Sequence, residues 1–255
     1  MKIFIILYCI ALSLDIVCGI VLPFKKGINY GIEETNTTDT KDVAPKCKSN
    51  KKVCSENMYD FSDPSAVDNF NIDYCEKNVV QDSNSLKLLI SEECGTTLIY
   101  PKEIIYGKVE GRIKMAPGSG AVTAIILIGS GQEDEIDFEW VGKDLDNVQS
   151  MYFIDGKPVE SEPGYHQASD GQSDMSKNYH NYGIELTKNA VNWYIDGNIV
   201  RTLKKTSEHE FPSKANKLRF GVWNGSNTSG WAGKMNDFSS EVAGYFEWVK
   251  ITEYC

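Results

Sequence analysis

Nine stretches of five to ten residues between Ser85 and Thr252 alternate apolar with polar residues or run briefly apolar, and no long helical period interrupts them. They are SLKLLI (85–90), YGKVEGRIKM (106–115), AVTAIILI (121–128), EIDFEWV (135–141), VQSMYFI (148–154), YGIELT (182–187), VNWYI (191–195), KLRFGVW (217–223) and YFEWVKIT (245–252). Alternation with a period of two is the signature of a strand with unlike faces. Ile154-Asp155-Gly156 and Ile195-Asp196-Gly197 each put Asp-Gly after a strand, and both residues tolerate the positive φ of a tight hairpin, so antiparallel pairing follows. AVTAIILI is apolar on both faces and should be a central strand covered by a second sheet, whereas VEGRIKM alternates and should keep one wet face. The expected fold is all-β: a jelly-roll β-sandwich of two packed antiparallel sheets with a concave substrate cleft. A chain of 255 residues is compatible with one such unit.

One of these strands is chemically unusual. QEDEIDFEWVG (132–142) puts Glu135, Asp137 and Glu139 on one strand face and Ile136, Phe138 and Trp140 on the other. Neighbouring carboxylates at about 7 Å repel by roughly 0.6 kcal/mol in water, and several-fold more in a drier cleft. A solvated acidic edge, or a calcium site built from Glu133, Asp134 and Glu135, is the plainer reading of such a run. The three apolar residues demand burial of the opposite face, which fixes the acids on an ordered sheet surface. Glu135 and Glu139 have Cα atoms about 13 Å apart at ~3.3 Å per residue. On a concave strand their side chains lean together toward the roughly 5–5.5 Å carboxyl separation of retaining glycosidases, where one carboxylate attacks the sugar and the other donates and later removes a proton. Asp137 between them raises the proton affinity of a neighbour and splits the pKa values. Two carboxyl groups suffice for this chemistry, so no metal or organic cofactor is expected.

The rest of the chain bounds the setting. MKIFIILYCIALSLDIVCGI (1–20) has Lys2 ahead of an apolar run from Ile3 to Leu14 and small residues near Gly19, the pattern of a secretory signal too short to span a bilayer comfortably. Residues 1–19 are therefore expected to be a signal, 20–46 a polar extension or linker, and 47–255 the catalytic domain, secreted to the extracellular space or cell wall with no membrane span in the mature chain. Sequons at Asn36, Asn224 and Asn227 fit that route. Past the signal remain Cys47, Cys54, Cys75, Cys94 and Cys255. The simplest pairing is Cys47 with Cys54 and Cys75 with Cys94, two other pairings stay open, and Cys255 is then the spare thiol. His166, His180 and His209 lack any zinc-like arrangement. A net charge of −10 argues against nucleic acid or an anionic membrane as partner. A neutral substrate fits better, and a monomer is expected.

Glu135-Ile136-Asp137-Phe138-Glu139 resembles the ExDxE signature of family-16 glycoside hydrolases, a retaining jelly-roll family. The longer run 134–153 is similar to the fungal Crh branch, cell-wall transglycosylases that join chitin to β-glucan, in Glu139-Trp140-Val141-Gly142, Asp144, Val148-Gln149-Ser150 and Tyr152-Phe153. FGVWNGS (220–226), Trp231-Ala232-Gly233, YFEWVKIT (245–252) and a Cys47/Cys54 pair ahead of the domain also look like that branch. The resemblance covers about residues 47–255. It implies Glu135 as nucleophile, Asp137 as assisting carboxylate and Glu139 as general acid/base. Met151 departs from it, standing where such enzymes often carry Asn. The Ser/Thr-rich stalk and hydrophobic tail of the fungal enzymes are also missing, so a lipid-anchored form is not expected.

Four residues are candidates for holding sugar: Gln149, Tyr152, Trp223 and Trp231. The two tryptophans flank the loop NGSNTSG (224–230) and offer aromatic faces, Trp231 being the better stacking candidate and Trp223 equally suited to core packing. Gln149 and Tyr152 differ by an odd number of positions, so a regular strand points only one of them at the cleft; the resemblance favours Gln149. The expected activity is transfer from a chitin donor to a β-glucan or chitin acceptor. Its alternatives are an endo-β-glucanase using the same residues and a non-catalytic carbohydrate-binding sandwich.

Overall fold

A computed structural model describes residues 51–131, 134–160, 163–168, 171–235 and 237–255. The expected signal and extension, Cys47, the Asn36 sequon and Glu133 lie outside the described residues. In chain order the strands are β1 (Val53–Asp60), β2 (Asn71–Asp73), β3 (Val79–Asp82), β4 (Ser85–Ile90), β5 (Thr96–Ile99), β6 (Gly107–Lys114), β7 (Ala121–Ile128) and β8 (Glu135–Val141). They continue with β9 (Val148–Ile154), β10 (Lys157–Pro158), β11 (Gly164–His166), β12 (His180–Leu186), β13 (Ala190–Ile195), β14 (Asn198–Lys204), β15 (Lys217–Asn224) and β16 (Val242–Tyr254). Two short 3₁₀ turns, Pro64–Asn69 and Glu76–Asn78, are the helices described.

The strands form two antiparallel sheets of eight, the jelly-roll sandwich the alternation predicts. One runs β14-β13-β12-β6-β16-β4-β3, with β1 on the far half of β16; the other runs β10-β9-β8-β7-β15-β5-β2, with β11 also on β9. Strand β16 serves β4 with Val242–Phe246 and β1 with Trp248–Tyr254, and its register shifts against β6 between Phe246 and Trp248. The Asp-Gly turns hold: Asp155 and Gly156 have φ of 48° and 72°, and Asp196 and Gly197 have 49° and 80°, the left-handed pair that joins β9 to β10 and β13 to β14.

The inner faces supply one core. Phe220 packs on Phe246 across the sandwich at 5.1 Å, and Trp140 meets Tyr182 edge-on at 4.4 Å. Burying each such ring contributes on the order of 2–3 kcal/mol. Ile136, Phe138 and Trp140 are fully buried, as the pattern of β8 demands, and β6 is buried at alternate residues.

Three expectations need correction. Seven strands, β1, β2, β3, β5, β10, β11 and β14, escape the sequence pattern. All but β5 pair on one side only, where wet flanks permit polar residues, and β5 has just four residues. The disulfides are Cys54–Cys255 and Cys75–Cys94, so Cys255 is no spare thiol and Cys54 is not bonded to Cys47. Antiparallel pairing of β1 with the end of β16 sets Val53 opposite Tyr254, which leaves 5.2 Å between the Cα atoms of Cys54 and Cys255, well within bridging range. Finally, only one face of β7 meets the second sheet, through Ala121, Ile125 and Leu127. The other face is apolar because it floors the concave side, with Val122 sealed by Val141, Ala232, Trp223 and Trp231.

Candidate active site

Register carries the acids onto the concave face. Glu135, Asp137 and Glu139 of β8 stand opposite Phe153, Met151 and Gln149 of β9 and opposite Ile128, Ile126 and Ala124 of β7. Directly opposed residues share a face in an antiparallel pair. A cleft of about 370 Å³ is lined by the three acids, Gln149, Met151, Phe153, Pro163, Trp223 and Trp231. Three apolar rings and a thioether around three carboxyl groups make a dry environment, which penalises charge.

Asp137 is the anchor of the group. It is 1% exposed, its Oδ1 accepts the Met151 N–H at 2.8 Å, and its own carbonyl oxygen accepts the Trp193 Nε1–H at 2.8 Å from the opposite sheet. Burial, then the charges of Glu139 and Glu135, push its pKa well above the usual carboxylate range, against the pull of the Met151 N–H and the Arg201 guanidinium. The Asp137 carboxyl lowers the pKa of Glu135 beside it, and Asp137 Oδ2 is buried with no hydrogen-bond partner among the described residues. Burial raises Glu135 too, and the Asp137 carboxyl and the Arg219 charge offset that rise only in part. Glu139 is different: burial and the charge of Glu135 push it up to about 8, and the Trp223 side chain is the hydrogen-bond partner that opposes them. All three carboxyl groups are thus biased toward the protonated form, Asp137 and Glu139 most strongly. Unequal surroundings push their proton affinities apart, the arrangement from which an acid and a nucleophile can be drawn in the same cleft.

The tryptophans order this corner. Trp223 and Trp231 stack with centroids 6.0 Å apart and 27° between planes, and Trp231 Nε1 donates to Gln149 Oε1 at 2.8 Å. Gln149, Trp223 and Trp231 therefore all line the cleft as expected. Tyr152 does not: it lies on the inner face of β9, 5% exposed in the core, with the Arg201 guanidinium over its ring. The two-residue alternation of β9 is unbroken here, so Gln149 takes the cleft and Tyr152 the core. Asp134, proposed for a calcium site, accepts from the backbone N–H groups of Asp155 at 3.3 Å and Lys214 at 2.9 Å. It pins two loops instead.

Sequence reasoning passed over Arg219, Phe153 and Pro163. Arg219 was findable, since 219, 221 and 223 share a face of β15 and Trp223 is one of the sugar-holding candidates. Its guanidinium is partly buried on the concave face, and its Nε makes no hydrogen bond among the described residues.

Comparisons with known proteins give the family and the fold. The family model for glycosyl hydrolases family 16 matches residues 66–240. Crh-like protein 2 of Aspergillus fumigatus is 34% identical over 175 residues, covering 64% of this chain and 39% of that protein. The chain thus spans about two fifths of that relative's length. Among solved structures, apo Crh5 transglycosylase is 30% identical with a TM-score of 0.69, covering 81% of this chain and 88% of the other. Crh5 transglycosylase in complex with NAG gives 29%, 0.69 and the same coverage. With its fold and most of its length accounted for in this way, the chain belongs to glycosyl hydrolases family 16.

Proposed function

We propose that the chain is a retaining transglycosylase of cell-wall polysaccharide, which cleaves a chitin-type donor and passes the glycosyl group to β-glucan or chitin. The observation that carries this reading is the convergence of three carboxyl groups on one dry cleft, where burial and mutual charge raise Asp137 and Glu139 above the usual carboxylate range. The likeness to Crh5 transglycosylase, one structure of which is in complex with NAG, supports the donor class.

Glu135, kept ionised by the proton on Asp137, attacks the anomeric carbon. The bond from that carbon to the glycosidic oxygen breaks as Glu139 gives its proton to the leaving oxygen, which leaves a glycosyl ester on Glu135. An acceptor hydroxyl then attacks the same carbon, its proton passes to the Glu139 carboxylate, and the ester bond breaks. Transfer wins over hydrolysis when the acceptor is held close, because orientation replaces a large entropic barrier. The stacked pair Trp223 and Trp231, held by Glu139 and Gln149, is suited to that holding. In this reading residues 47–255 are the catalytic domain, 1–19 a secretory signal and 20–46 an extension, and the protein acts outside the cell. No helix among the described residues is long and apolar enough to cross a membrane.

Incubation with chitin oligosaccharides and a labelled β-glucan acceptor is expected to yield labelled products longer than the acceptor. Glu135→Gln should lower the rate by at least about 10³-fold while oligosaccharide binding persists. Shortened free oligosaccharides as the sole product would turn the reading to hydrolysis. Binding without turnover by the unaltered protein would make it a lectin.

A further inference from the structure

The concave face does not end at the acids. Glu139 stands opposite Ala124, Ala124 opposite Gly221, Gly221 opposite Thr97, and Thr97 opposite Asp73. These five residues form one row across β8, β7, β15, β5 and β2, about 19 Å long at ~4.8 Å per strand. Beyond Glu139 the row is low, a methyl, a hydrogen and a threonine. Its neighbours are taller, Ile126 and Arg219 on one side and Val122 and Trp223 on the other. A Cβ on Gly221 would come within 2.1 Å of the Thr96 carbonyl oxygen, so the floor stays flat at its middle. Three cavities follow this trough and share walls: the acidic cleft, a space of about 140 Å³ over Ala124, Gly221 and Thr97, and one of about 540 Å³ reached past Thr97 and Trp223.

Tyr74 lines that last cavity. Its ring is 70% exposed and its φ is 63°, a left-handed conformation that bulky residues rarely adopt and that its small buried area does not offset. The next residue, Cys75, is bonded to Cys94, and residues 91–95 form the facing wall of the same cavity. A single exposed aromatic residue is ordinary. One turned by an unfavourable φ onto the end of a trough that starts at the catalytic acids, and clipped there by a disulfide, is not.

We propose that Tyr74 is a stacking platform for a distal sugar ring of the polysaccharide bound in the cleft, so that affinity grows with chain length until the chain reaches β2. The proposal rests on the carbohydrate reading of the acidic cleft and adds the length of chain that the site recognises. An aromatic platform of this kind is worth about fivefold to tenfold in affinity.

The test uses Glu135→Gln protein, which binds without turnover, made without N-glycans because Asn224 and Asn227 open on the same cavity. Chito-oligosaccharides of increasing length are titrated by calorimetry. The expected result is an affinity that rises with length, a loss of about fivefold to tenfold for long chains alone in Tyr74→Ala, and retention in Tyr74→Trp. Tyr74→Gly, which frees the left-handed backbone, should show the same loss with unchanged or higher thermal stability. The same length dependence with and without Tyr74, or an equal loss at every length, overturns the platform. Binding at no length overturns the carbohydrate reading, and the platform with it.

Discussion

Glu139 and Glu185 are both sheet glutamates removed from bulk water, and their surroundings drive them in opposite directions. On Glu185, in β12 of the opposite sheet, converge Lys51 Nζ at 2.6 Å, Asn192 Nδ2 at 2.9 Å, Tyr194 OH at 2.9 Å and Tyr254 OH at 2.6 Å. Burial raises its pKa, but these four donors outweigh burial and bring it down to about 2. Glu139 has one indole partner and two carboxyl neighbours, and it rises to about 8. Burial is common to both. The supply of donors separates a carboxylate that holds a fold together from a carboxylic acid stored for chemistry.

The largest test of this contrast is Glu139→Gln. It should lower transfer by about 10²–10⁴-fold yet raise Tm by roughly 2–5 °C at neutral pH, because an amide needs no proton to remain neutral in the cleft. A fall in Tm measured by calorimetry would mean that Glu139 is a structural group. Next comes Glu185→Ala, which strands four donors at once and should cost about 2–4 kcal/mol of unfolding free energy by denaturant titration. Its kcat per folded molecule should not change, and a loss there would join the two regions that the comparison keeps apart.

The smaller tests are in pH. In the proposed mechanism transfer needs the Glu139 proton, so its rate should fall as pH rises past about 8, and Trp223→Phe, which removes the opposing N–H, should move that limb upward. For stability the signs are opposite. The folded pKa of Glu139 is above its unfolded value, so its contribution is present below about 4.5 and is lost as pH climbs through 8. Glu185 has a folded pKa below its unfolded value, so its contribution is present above about 4.5 and is lost as pH falls toward 2. Unfolding curves of Glu139→Gln and Glu185→Gln should each flatten in one of those windows and match the unaltered protein in the other.

What the sequence disclosed follows from the range of the interactions involved. EIDFEWV announces its two faces because a strand alternates every residue, and that alone brings Glu135, Asp137 and Glu139 together. The Asp-Gly turns are equally local. The bond between Cys54 and Cys255 spans 201 positions and depends on β1 pairing with the end of β16, which no local pattern encodes. The second face of AVTAIILI was assigned to a covering sheet because apolar residues under a substrate look the same as apolar residues in a core. Tyr152 was undecided between two faces until the register of β9 was known. Arg219 went unnoticed because a lone cation on a mixed strand carries no signal until its neighbours across the sheet are identified. Glu185 left none either, since its four donors come from β13, which supplies two, from the end of β16 and from Lys51.

The indole of Trp193 reaches through the sandwich to the carbonyl oxygen of Asp137, and this joins the proposed reacting groups to the packed core. The spacing of the carboxyl groups is thereby indexed to the gap between the two layers, as a cutting tool is indexed to the bed of a lathe. In the proposed reading, loops at the rim can diverge and retune which chains are accepted while the acidic strand keeps its alignment.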